Sequence, residues 1–107
     1  MNTTYEEKQL HSELIEAVNH RTLEGQITSV GLGYDLSDGV LTLGITLQRA
    51  TPMDTAHIWS VLYSFAYRKF NLDGHPPFQF HYDPEGLTLQ SFSFKPSDAF
   101  TVIPRKV

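Results

Sequence analysis

The chain has no cysteine, which removes disulfide frameworks, thiol catalysis and cysteine zinc sites together. It also has no apolar run near the ~18 residues that a membrane helix needs. Charge is scarce: only 19% of the 107 residues are charged, with a net charge of -4. A broad field drawing in nucleic acid or anionic lipid is therefore not expected. The N-terminus Met1-Asn2-Thr3-Thr4-Tyr5-Glu6-Glu7 has neither a basic region nor an apolar run. No signal peptide is expected, and the cytoplasm is the default compartment.

Aromatic residues are well supplied, with 7 Phe, 5 Tyr and 1 Trp, and 40% of the chain is apolar. Such a composition argues against disorder, and the length fits one α+β domain spanning residues 1–107. A first helix is predicted from about Thr4 to His20, with Thr4 and Glu7 as a capping box. Leu10, Leu14, Ala17 and Val18 form its apolar stripe, and Gly25 ends it or opens the next turn. Gln26 to Tyr34 reads as a strand in which Gly31 and Gly33 mark a bulge. Asp38-Gly39 supplies the hairpin turn, and Val40 to Arg49 alternates cleanly, with Leu41, Leu43, Ile45 and Leu47 on one face.

A second helix is expected from Thr51 to Asn71, followed by a glycine- and proline-broken loop to Pro77. Phe78 to Tyr82 alternates as a strand, Asp83-Pro84-Glu85-Gly86 is a turn, and Leu87 to Lys95 is the next strand. The apolar phase of that last strand slips, because Leu87 and Leu89 share one face while Phe92 and Phe94 share the other. A bulge near Gln90 and Ser91 would restore one buried face, as would a second covering surface. Residues 97–107 are expected to form a short edge strand or a docked tail, through Phe100, Val102 and Ile103.

The resulting order is α-β-β-α-β-β. It predicts a two-layer sandwich, a four-stranded mostly antiparallel sheet with two helices on one face. A ferredoxin-like sandwich has this order when its first strand is moved to the end of the chain. No activity follows from that template, because such sandwiches host unrelated functions.

The second helix is the most informative segment. Thr51 is a cap hydroxyl, Pro52 takes the first helical position and Asp54 puts a carboxylate in the first turn. At about 100° per residue, Ile58, Val61, Leu62 and Phe65 form one stripe, with Trp59, Tyr63, Tyr67 and Phe70 beside it. The two together exceed what one sheet face covers. The surplus marks core shared with the first helix, a dimer interface, or the wall of an apolar pocket.

Chemical signatures are weak. His11, His20, His57, His75 and His81 contain no pair at helical ligand spacing. His75, His81, Asp83 and Glu85 are a set that loop and hairpin ends could bring around a metal, but His81 falls on the polar face of a strand, His75 caps a proline turn, and turn chemistry explains the two carboxylates. Neither a metal nor a cofactor is predicted. Asp54 and His57 sit three apart on one helix, the skeleton of a general base with no nucleophile placed beside it. A helix-surface pair accounts for them better. Gly31-Leu32-Gly33-Tyr34 lacks the third glycine and the following helix of a dinucleotide fingerprint. Arg49, Arg68, Lys69, Arg105 and Lys106 can make at most a local basic patch.

The sequence therefore predicts no catalytic residue and leans away from an enzyme. It favours a small acidic protein-interaction domain, working as a homodimer and binding a protein partner, with no membrane role; nucleic-acid binding through Arg49, Arg68 and Lys69 is a third reading that the acidic balance disfavours. Interface or pocket candidates are Trp59, Tyr63, Tyr67, Phe70, Phe92 and Phe94. The alternative is a small-molecule binding or catalytic domain with an apolar pocket between helix 51–71 and the sheet. Its polar candidates are His57, Arg68 and His81.

Overall fold

The computed structural model describes residues 2–72, 78–82 and 86–105, leaving out the side chains of 78–82. Thr3–Glu6 is a strand (β1), Glu7–Asn19 a helix (α1), and Gln26–Asp35 (β2) and Val40–Gln48 (β3) form a hairpin. Pro52–Phe70 is the second helix (α2), Phe78–Tyr82 (β4) and Leu87–Phe94 (β5) are strands, and Phe100–Ile103 (β6) is the last. The α+β class holds. The strands form two sheets: an antiparallel one in the order β2-β3-β5-β4, and a separate parallel ribbon of β1 and β6.

That ribbon corrects the expected first helix. Thr4 does not cap it; Thr3 to Glu6 pair with Phe100 to Ile103, and α1 begins only at Glu7. Glu6 is the cap residue and makes no side-chain cap bond. Three features favour a strand here. The Thr-Thr-Tyr run suits an extended backbone, Tyr5 stacks on Phe100 and meets Phe70 edge-on, and its hydroxyl donates to the Lys69 carbonyl at 2.8 Å. A local cap cannot match those long-range contacts. The predicted tail strand exists, but on β1 rather than on the larger sheet.

Among the described residues, the core is one cluster. It combines Leu10, Leu14 and Val18 of α1 with Ile58, Leu62, Phe65 and Phe70 of α2. It also takes in Leu41, Leu43, Ile45 and Leu47 of β3, as the alternation of that strand predicts. In β5 the expected bulge is absent: its register with β3 runs unbroken from Leu41↔Phe94 to Gln48↔Leu87. Thr88, Gln90, Phe92 and Phe94 all face inward, and Leu89 is left 39% exposed on the other face. Phe92 and Phe94 are therefore in the correct phase, and the apparent slip came from Leu87 and Leu89. The irregularity lies instead in β2, between Ile27 and Ser29, and not at Gly31 or Gly33.

α2 starts as predicted. Thr51 Oγ1 accepts from Asp54 N at 3.1 Å, and Asp54 Oδ2 accepts from Thr51 N at 3.0 Å, closing a capping box. Asp54 is only 2% exposed because it also takes the Glu24 and Gly25 amides, at 2.9 and 2.8 Å. Gly25 is required there: a Cβ would meet the Gln48 carbonyl oxygen at 2.9 Å. The carboxylate thus holds the connection after α1 against the start of α2.

Candidate functional site

Three aromatic rings form a ladder along α2. Trp59 and Tyr63 stack with centroids 5.2 Å apart and planes 4° apart, and Tyr63 stacks on Tyr67 at 6.2 Å. Spacing of four residues puts these rings one above another on a helix. Tyr63 also meets the buried Phe92 edge-on at 6.4 Å, which fixes the ladder to the core. Its free end is in solvent, where Tyr67 is 55% exposed. Trp59 and Tyr63 are half-buried.

The other interface candidates are interior. Phe70 is 3% exposed, Phe92 1% and Phe94 6%, so they support the ladder and offer no surface. Phe70 contacts the rings of Tyr5, Phe94 and Phe100 at 5.1 to 5.3 Å, joining the ribbon to the main core.

Two of the polar candidates do not converge. His57 and Arg68 are eleven residues apart on α2, roughly 16 Å along its axis. Arg68 is exposed and donates to the Ser64 carbonyl. His57 is half-buried, and its Nδ1 reaches neither solvent nor a hydrogen-bond partner. The side chain of His81 lies outside the described residues, as do His75, Asp83 and Glu85. Among the described residues, no three His, Asp or Glu side chains cluster to hold a metal.

Asp54 and His57 form neither a catalytic dyad nor a surface pair. Both Asp54 oxygens are taken by backbone amides of Glu24, Gly25 and Thr51. Burial by itself raises this carboxyl, but those amides outweigh it and hold it below the ordinary carboxylate range. Asp35 is a turn residue: the Ser37 hydroxyl and amide bond its Oδ1 at 2.6 and 2.9 Å, lowering its carboxyl too.

Two polar features were not anticipated. Gln90 is fully buried; its Nε2 donates to the Thr55 carbonyl at 3.1 Å, while its Oε1 has no partner. On the other side of the molecule, Arg105 N donates to Glu7 Oε1 at 3.1 Å. Arg105 Nη2 lies 2.9 Å from His11 Nδ1, and His11 Nε2 lies 2.7 Å from the Val30 carbonyl of β2. A guanidinium only donates and a carbonyl only accepts, so Nδ1 takes the bond from Arg105 and Nε2 gives the bond to Val30. Glu6, Lys8, His11, Ser12 and Arg105 line an open groove of about 610 Å³ beside this chain of bonds.

Two of the cations have carboxylate partners: Lys69 pairs with Glu13 at 2.9 Å and Arg105 lies beside Glu7 at 3.7 Å. Among the described residues, no helix is long and apolar enough to cross a membrane. No family model matches this chain, and neither a curated protein nor a solved structure matches it.

Proposed function

We propose that this chain is a cytoplasmic protein-interaction domain that works as a homodimer and presents the α2 ladder to a protein partner. The observation that carries this reading is the ladder itself: stacked Trp59, Tyr63 and Tyr67, fixed at its middle ring to Phe92 and exposed at Tyr67. Trp and Tyr dominate binding energy at interfaces because each combines a large rigid apolar body with one polar atom. Stacking holds the rings in place before binding, which lowers the entropy lost on contact. The strand order β2-β3-β5-β4 supports a ferredoxin-like sandwich whose first strand has moved to the chain end, extended by the β1–β6 ribbon. In that reading both helices cover one face.

A photo-crosslinking residue at position 67 tests the partner surface, with the same residue at Leu36, which is 68% exposed, as control. Crosslinks specific to position 67 are expected, competed by added wild-type protein but not by Trp59→Ala protein. Equal crosslinking at both positions, or competition by both proteins, contradicts the assignment.

One observation favours a second reading, a small-molecule site between α2 and the sheet: the unpartnered His57 Nδ1 and Gln90 Oε1. Buried polar atoms without partners are rare, and an amide-bearing ligand would satisfy the second. Gln90→Leu separates the readings in a thermal melt with small-amide fragments. The interaction reading expects a variant about 1 kcal/mol more stable than wild type, with no fragment-dependent shift in either protein. A shift in wild type that is lost in Gln90→Leu supports the pocket.

A further inference from the structure

β2 is an end strand of the larger sheet, and from Gln26 to Tyr34 it carries neither a charge nor a proline. Natural edge strands are usually protected by such residues, because a row of open N–H and C=O groups is a template for another chain. Which groups are open follows from the hairpin. Asp35 O accepts from Gly39 N at 2.7 Å, so its carbonyl points toward β3. Along an antiparallel strand the side alternates residue by residue. Gly33 and Gly31 therefore also face β3, while Tyr34, Leu32 and Val30 turn their N–H and C=O groups outward. The bond from His11 to the Val30 carbonyl agrees with that phase.

We propose that β2 pairs antiparallel with β2 of a second copy, the two-fold axis passing at Leu32; this rests on the homodimer reading above. A second copy fits because the strand is complementary to itself in this register. Val30 of each copy lies opposite Tyr34 of the other, a favourable cross-strand pair of β-branched and aromatic side chains. Gly31 lies opposite Gly33, Asp35 opposite Ser29, and no like charges meet. All three outward residues of both strands are used, whereas an axis at Gly33 would leave Val30 out and draw in the turn. The contact is isologous and closes as a dimer instead of growing into a filament. It also leaves the α2 ladder available to a different protein.

His11 competes with this pairing. In the dimer the Val30 carbonyl accepts from the Tyr34 N–H of the other copy, so His11, held by Arg105, has to release it. The side chain is a removable cover on the edge.

Amide hydrogen exchange of the wild-type protein, measured alongside solution mass at increasing concentration, tests the pairing. The Val30, Leu32 and Tyr34 amides are expected to gain protection as the mass doubles. His11→Ala is expected to tighten the dimer about tenfold, since two competing hydrogen bonds are removed per dimer. A dimer whose three amides exchange as fast as in the monomer overturns the edge pairing and leaves self-association standing. A protein that stays monomeric at every concentration overturns both.

Discussion

Asp54→Asn lowers the stability of this domain by about 3 kcal/mol, the sum expected for a lost capping box and two further charge-assisted amide bonds. The reason is local charge. Three backbone N–H groups, from Glu24, Gly25 and Thr51, converge on one carboxylate that is 2% exposed. An asparagine amide would turn an N–H toward at least one of those donors. The consequence is large against the ~5–15 kcal/mol that holds a typical domain together. Chemical denaturation of wild type and variant at neutral pH measures it. A loss below ~1 kcal/mol would show that the amides find water as readily as the carboxylate.

The same site sets a pH dependence. The folded state holds the Asp54 carboxyl below its ordinary value of 3.8, so folding favours the ionised form. Its contribution is complete above that ordinary value and is lost as pH falls through the lower folded value. Wild type should therefore lose stability on acidification through this window more steeply than Asp54→Asn does.

Phe70→Ala costs about 4 kcal/mol, in the range for removing a buried phenylalanine. Phe70 is the ring on which Tyr5, Phe94 and Phe100 all pack edge-on. The cavity opens between the β1–β6 ribbon and the main core, so the damage should be uneven. Amides of Thr3 to Glu6 and Phe100 to Ile103 are expected to lose exchange protection before those of β3. Uniform loss across both sheets would mean that the ribbon does not depend on this ring.

The legible parts of this fold were the local ones. The start of α2 is written in four adjacent residues, Thr51 to Asp54, and β3 in nine alternating ones. β1 was hidden because Thr4 and Glu7 imitate a capping box, while the decisive partner, β6, lies almost a full chain length away. In β5, apolar residues occupy both faces, so periodicity alone could not rank Gln90 above Leu89 for burial. Gln90 is accommodated by the Thr55 carbonyl, a contact 35 residues distant in sequence.

The site divides in the same way. Spacing of four residues identified Trp59, Tyr63 and Tyr67 as neighbours, and they do stack. Spacing did not separate Tyr67 from Phe70, whose directions differ by roughly 60° around the axis. That angle turns one ring to solvent and the other into the core. The bonds from Glu7 through Arg105 and His11 to Val30 join the two ends of the chain to β2, and no local pattern announces them.

We propose, above all, that this domain works as a self-associated interaction module. Sedimentation of the purified wild-type protein from micromolar to millimolar concentration tests it most directly. A reversible monomer–dimer equilibrium reaching twice the chain mass is expected, undisturbed by Tyr67→Ala. A single species of one chain mass throughout that range would contradict it.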